Sequence, residues 1–135
     1  MNQAQDPVVK PAQVARATTL LWFSLAIGAV IALLDLYFLQ SLASAGFTVF
    51  VMAFVLAIIA LLIHKISAGR NWARITFLVF FVLGTTSYVP NLIAMFSRSA
   101  ITGSLSLLQV VLQMGALYLI FTNPGAGWFK SKAVQ

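Results

Sequence analysis

Cysteine is absent from this chain of 135 residues. That excludes disulfide frameworks, thiol redox chemistry and thiolate metal sites. Charge is scarce as well. Charged residues make up 7% of the chain, where a soluble domain carries about 25%. Only Asp6 and Asp35 are acidic, and His64 is the one histidine. General acid–base catalysis needs several positioned titratable groups, and a metal site needs three or more ligands. The composition therefore points away from an enzyme, and it implies no cofactor. Basic residues outnumber acidic ones by 8 to 2, for a formal charge of +6. They stand at the ends of apolar runs and form no stripe, which excludes a nucleic-acid partner.

What the chain does have is apolar length. Hydrophobic residues make up 61%, too many for a soluble surface and appropriate where lipid is the solvent. Four runs are long enough to cross ~30 Å of hydrocarbon as helices of roughly 20 residues. They fall at about 17–40, 46–66, 72–96 and 104–122. Phe47 to Ile63 is the clearest, holding nothing more polar than Thr48. None of the four shows the polar face of a soluble bundle helix. The expected fold is all-α: an integral membrane domain over 17–122, flanked by segments 1–16 and 123–135. The connections 41–45, 67–71 and 97–103 are short, and short loops make neighbouring helices antiparallel in an up-down four-helix bundle. Pro11 suits a first helical turn. Asn123-Pro124-Gly125 should stop the last span, because proline cannot continue a helix and glycine frees the backbone.

Charge placement predicts orientation. Lys10, Arg16, Lys65, Arg70, Arg74, Lys130 and Lys132 fall on one side of the spans, and only Arg98 falls on the other. By the positive-inside rule, both termini and the second loop are expected to be cytoplasmic. Trp22, Trp72 and Trp128 lie near that same boundary, where indole rings anchor helices. The basic residues there are expected to meet anionic lipid headgroups. Arg16, an apolar run and Ala43-Ser44-Ala45 also resemble a cleavable signal peptide. The run exceeds the 7–15 residues of such an apolar region, and it contains Asp35, so a retained span is expected.

Small and polar residues mark the faces that membrane helices bury against one another. The spacing predicts four such faces: Ser24, Gly28 and Ala32; Ala53, Ala57, Ala60 and His64; Gly84, Ser87 and Asn91; Ser106, Gln109, Gln113 and Ala116. A lone histidine at the end of such a stripe is expected to hydrogen-bond at the interface rather than ligate a metal. A short internal echo, Ala15-Arg16-Ala17-Thr18 against Ala73-Arg74-Ile75-Thr76, opens the first and third spans.

Two candidate sites follow. Asp35, Tyr37, Tyr88, Asn91, Arg98, Gln109 and Gln113 share the half of the spans away from the termini, so a polar pocket is expected there. An ionisable residue within a span costs roughly 2.5–3.5 kcal/mol and tends to pair or to serve function. Asp35 and Arg98 should therefore face each other or share a wet pocket, as a helix staple or as a binding site. Gln109 and Gln113 would hydrogen-bond across helices or line a pore. The second candidate is the turn at Arg70, Trp72 and Arg74, suited to headgroups or to docking a cytoplasmic partner.

The string Gly69-Arg70-Asn71-Trp72-Ala73-Arg74-Ile75 carries a resemblance. So do Pro11, Val14 and Ala17 at spacing three, the glutamine-bearing last span and the closing Trp128-Phe129. Together they resemble small four-helix bacterial inner-membrane proteins of unassigned function. The resemblance implies a bacterial cytoplasmic membrane and brings no functional residue with it. The expected role is that of a non-enzymatic accessory or interaction protein, as a complex subunit or an immunity-type protein. Its partners would be the bilayer, a second membrane protein or further copies of the chain. The alternative is a small oligomeric transporter or channel that uses the polar pocket.

Overall fold

A computed structural model describes residues 9–38 and 45–134. The first loop, the end of the first expected span and the signal-peptide-like Ala43-Ser44 lie outside the described residues. Within them the chain is helical, with no strand. Six helices follow in order: α1 Ala12–Phe38, α2 Ala45–Ser67, α3 Asn71–Tyr88, α4 Leu92–Arg98, α5 Ala100–Phe121 and α6 Gly125–Val134. Four stretches are long and apolar enough to span a membrane: Ala12–Tyr37, Gly46–Ser67, Asn71–Arg98 and Ala100–Phe121. The protein is built as a multi-pass membrane protein.

The third stretch is not one straight helix. Pro90 lacks the backbone N–H and cannot continue the ladder. Val89–Asn91 tighten into a 3-10 turn between α3 and α4. The expected loop at 97–103 shrinks to Ser99, whose extended backbone separates α4 from α5. The Ser99 hydroxyl accepts from the Thr102 N–H at 3.3 Å, satisfying a donor that the first turn of α5 leaves open.

The α2–α3 turn follows from one glycine. Gly69 sits at φ +80°, a left-handed conformation that glycine enters without strain. Its N–H donates to the Ile66 carbonyl, and the Arg70 N–H donates to that of Lys65. This is the paired pattern that closes a helix C-terminus.

Packing concentrates where the chain termini meet this turn. Val14, Ala17, Leu21, Leu62, Ile63, Ile66, Ala73, Phe77, Ala116, Leu117, Ile120, Trp128 and Phe129 form one buried cluster. Lys10 Nζ donates to Ser67 Oγ at 2.7 Å, and Gln13 Nε2 to Thr122 Oγ1 at 2.9 Å. The starts of α1 and α3 thus lie beside the ends of α2 and α5, which is the up-down arrangement. Burial pushes the Lys10 ammonium below the usual lysine range. This is the packed end; the opposite end, at the 3-10 turn and Ser99, is the loop end. Along the bundle, α1 and α5 make the most extensive contact.

The small-residue faces divide. Ser24 and Ser106 are buried, and the ring of Phe96 lies where a side chain on Gly103 would go. Those of α1 and α5 face inward as expected. On α2, Ala53, Ala57 and His64 are exposed instead, while Leu62, Ile63 and Ile66 are buried. Ser87 and Asn91 are also exposed. The reason is spatial: small residues on α1 and α5 already form the close pair, and bulky side chains from α2 fill the remaining core. Beyond the last span the described chain continues as helix. Residues 125–134 form α6, which seats Trp128 and Phe129 in the core.

Candidate functional site

The loop-end half holds a cavity of about 240 Å³ between α3 and α5, with Ile59 of α2 at one side. From α3 it is lined by Phe77, Phe80, Phe81, Gly84, Thr85 and Tyr88, and from α5 by Ser106, Gln109, Val110 and Gln113. Helix periodicity explains both walls. Residues 77, 81, 84 and 88 recur at three- and four-residue steps, as do 106, 109 and 113, so each set lies on one face. Gly28 of α1 makes room for the α5 face. A side chain there would begin 2.9 Å from Gln109 Nε2.

The chemistry of this lining is neutral. It offers two carboxamides, hydroxyls from Thr85, Tyr88 and Ser106, and aromatic rings, with no charged side chain. Tyr88 Oη is enclosed and has no hydrogen-bond partner. A buried donor left unmade costs about 1–3 kcal/mol, so this oxygen is the atom of the lining most in need of a partner.

The expected pocket residues therefore separate into groups. Tyr88, Gln109 and Gln113 come together at the cavity. Asp35 and Arg98 lie outside its lining, with Arg98 the cation whose field reaches Asp35. Asn91 faces outward and turns its Nδ2 back to the Ser87 carbonyl at 3.0 Å. Tyr37 is 70% exposed. Among the described residues no group of three or more His, Cys, Asp or Glu side chains gathers as metal ligands would.

At the packed end, Arg70 is exposed and Trp72 half-exposed, as expected of an outward-facing turn. Arg74 departs from that reading, being only 7% exposed. Its Nε donates to Asn71 Oδ1 at 2.6 Å and its Nη1 to the Ile120 carbonyl at 3.1 Å. Its guanidinium lies 4.9 Å from the Phe121 ring centroid and 4.8 Å from that of Phe129. The Ile120 carbonyl belongs to the last turn of α5, where carbonyls lack helical partners and the helix dipole favours a cation. Arg74 thus joins α3, α5 and α6 instead of reaching headgroups. Its counterpart in the sequence echo, Arg16, is exposed.

Sequence reasoning missed the aromatic wall of the cavity and the internal role of Arg74. The signal for both was one face of α3. Residues 74, 77, 81 and 88 share it, so an inward Phe77 implied an inward Arg74 and an inward Tyr88. No family model, curated protein or solved structure matches this chain.

Proposed function

We propose that this protein is a non-enzymatic accessory subunit of a bacterial inner membrane, acting by association with another membrane-spanning helix. The observation that carries the reading is the outward placement of residues suited to helix contact. Ala53 and Ala57 on α2, and Ser87 and Asn91 on α3 and its 3-10 turn, stand exposed on stretches otherwise covered by large apolar side chains. Without a hydrophobic force between helices in lipid, close backbone approach and polar contacts drive association, and small and polar residues supply both. The bias of basic residues supports cytoplasmic termini, with Arg70 and the exposed lysines of α6 meeting anionic headgroups.

The test is co-purification of the tagged chain from native membranes in mild detergent. One defined membrane protein should accompany it and be lost from an Ala53→Leu, Ala57→Leu double variant. These positions are exposed, so the fold should survive the change. A wild-type chain that purifies alone, or a partner indifferent to the double variant, would overturn the reading. Orientation is separately testable because the chain has no native cysteine. Single cysteines at Lys132 and Ser97 should react with an impermeant maleimide from opposite sides of the membrane.

The cavity favours a second reading, a small oligomeric transporter. A path through one bundle would have to pass the buried Ile63, Phe77 and Leu117 at the packed end, and this ranks it behind association.

A further inference from the structure

We propose that the α3–α5 cavity binds a neutral, membrane-soluble molecule with a flat apolar body and one hydroxyl or carbonyl head. The inference does not rest on helix association: most of its residues face inward, only Phe80 and Gly84 of the lining reach the outer surface of α3, and neither Ala53 nor Ala57 lines the cavity.

Size, wall chemistry and access each narrow the occupant. The volume of about 240 Å³ would hold about eight waters at ~30 Å³ each, or one small ring system. Phe77, Phe80 and Phe81 with Ile59 and Val110 make most of the wall apolar. Such a surface favours a flat apolar body, packed on the ring faces and edges. Water alone would leave that wall wet.

The polar groups come from two helices and complement one another. The Tyr88 hydroxyl, enclosed and unpartnered, can donate to a carbonyl or accept from a hydroxyl. The amides of Gln109 and Gln113 can supply the other half of either exchange. A single oxygen head placed among them would satisfy the orphaned hydroxyl and keep its own hydrogen bonding. Ions fit poorly, because a charge entering this lining would lose its hydration and meet no countercharge. Asp35 and Arg98 are not in the wall.

Access runs from the side. Phe80 and Gly84 line the cavity yet are exposed on the outer surface of α3, and the space beside Gly84 is open. That surface belongs to a membrane-spanning stretch, so the molecule enters from the bilayer. On the packed side the buried core closes the way.

The experiment uses tritiated 1-naphthol as probe, with the full chain in phosphatidylcholine nanodiscs and empty discs as background. Saturable binding is expected for the wild type. Tyr88→Phe removes one oxygen and little shape, and should weaken naphthol about fivefold, the scale of one neutral hydrogen bond. Gln113→Leu should act similarly. Naphthalene, which has no head, should bind the wild type and Tyr88→Phe alike, showing that the cavity persists in the variant. Val110→Trp should fill the space and abolish binding of both probes. Naphthalene-1-sulfonate should show no saturable binding. Absence of saturable naphthol binding, as for a cavity that only holds water, would overturn the proposal. So would naphthol binding indifferent to both Tyr88→Phe and Gln113→Leu.

Discussion

Arg74 shows how one side chain can determine an end of a membrane bundle. It is a buried cation compensated by a carbonyl, an amide oxygen and two aromatic faces. A charged donor to a carbonyl contributes about 1.5–3 kcal/mol, and a desolvated cation–π contact adds about 0.5–2. Arg74→Ala should therefore lower stability by about 2–4 kcal/mol, read as the midpoint shift of unfolding in detergent. Arg74→Lys should recover only part of that loss. An ammonium keeps the charge but not the planar fork that bonds Asn71 and Ile120 while lying between Phe121 and Phe129. From sequence, the residue was legible as basic and near a boundary. Its direction was not, because Arg70 and Arg74 look alike in charge counting, and only the structure shows that Arg70 precedes α3 on extended backbone while Arg74 lies within the helix on the face it shares with Phe77.

At the scale of elements, the chain is organised by where helices stop. The turn at Gly69 closes α2 and sets α3 against α6. A side chain at Gly69 would meet both a positive φ and the Trp128 ring, 2.9 Å away. Gly69→Ala should cost about 1–2 kcal/mol in the same unfolding measurement. Helix α6 depends on its anchors in another way. Phe129 is fully buried, and Phe129→Ala should cost about 3–5 kcal/mol through lost packing and a cavity. Because α6 carries Lys130 and Lys132 on exposed positions, its release should appear as faster trypsin cleavage there. Unchanged cleavage would mean that α6 is held by something other than Phe129. Asn123-Pro124-Gly125 was legible as the end of a span. That the chain folds back was not, since α6 is too short for a strong periodic signal. Gly125 is the physical key: a side chain there would begin 2.6 Å from the Leu119 carbonyl oxygen, so only glycine lets α6 approach α5 so closely.

For the molecule as a whole, composition and apolar length sufficed to read the class, four spans in alternating directions. Helix rotation was harder, and for a physical reason. In lipid, outward faces need not be polar, so the contrast that orients a soluble helix is missing. Small residues marked the inward faces of α1 and α5 correctly. The same rule turned α2 the wrong way, because Ala53 and Ala57 lie outside while isoleucines fill the core. The polar pocket was partly legible for the same reason. Tyr88, Gln109 and Gln113 were placed by depth and converge, whereas Asn91 and Tyr37 share the depth but point elsewhere.

The packed end also holds both ends of the described chain, and this has a mechanical consequence. Tension applied through the termini would load Lys10–Ser67, Gln13–Thr122 and the docked Phe129 before anything else, placing the stiffest part of the molecule first in line. In a magnetic-tweezers measurement on single molecules in bicelles, extension from the termini should therefore give one abrupt rupture at high force. Attachment instead at Ser97 and Ser104, both at the loop end away from the buried cluster, should separate the helices gradually and at lower force. The same protein would then be brittle along one axis and compliant along another.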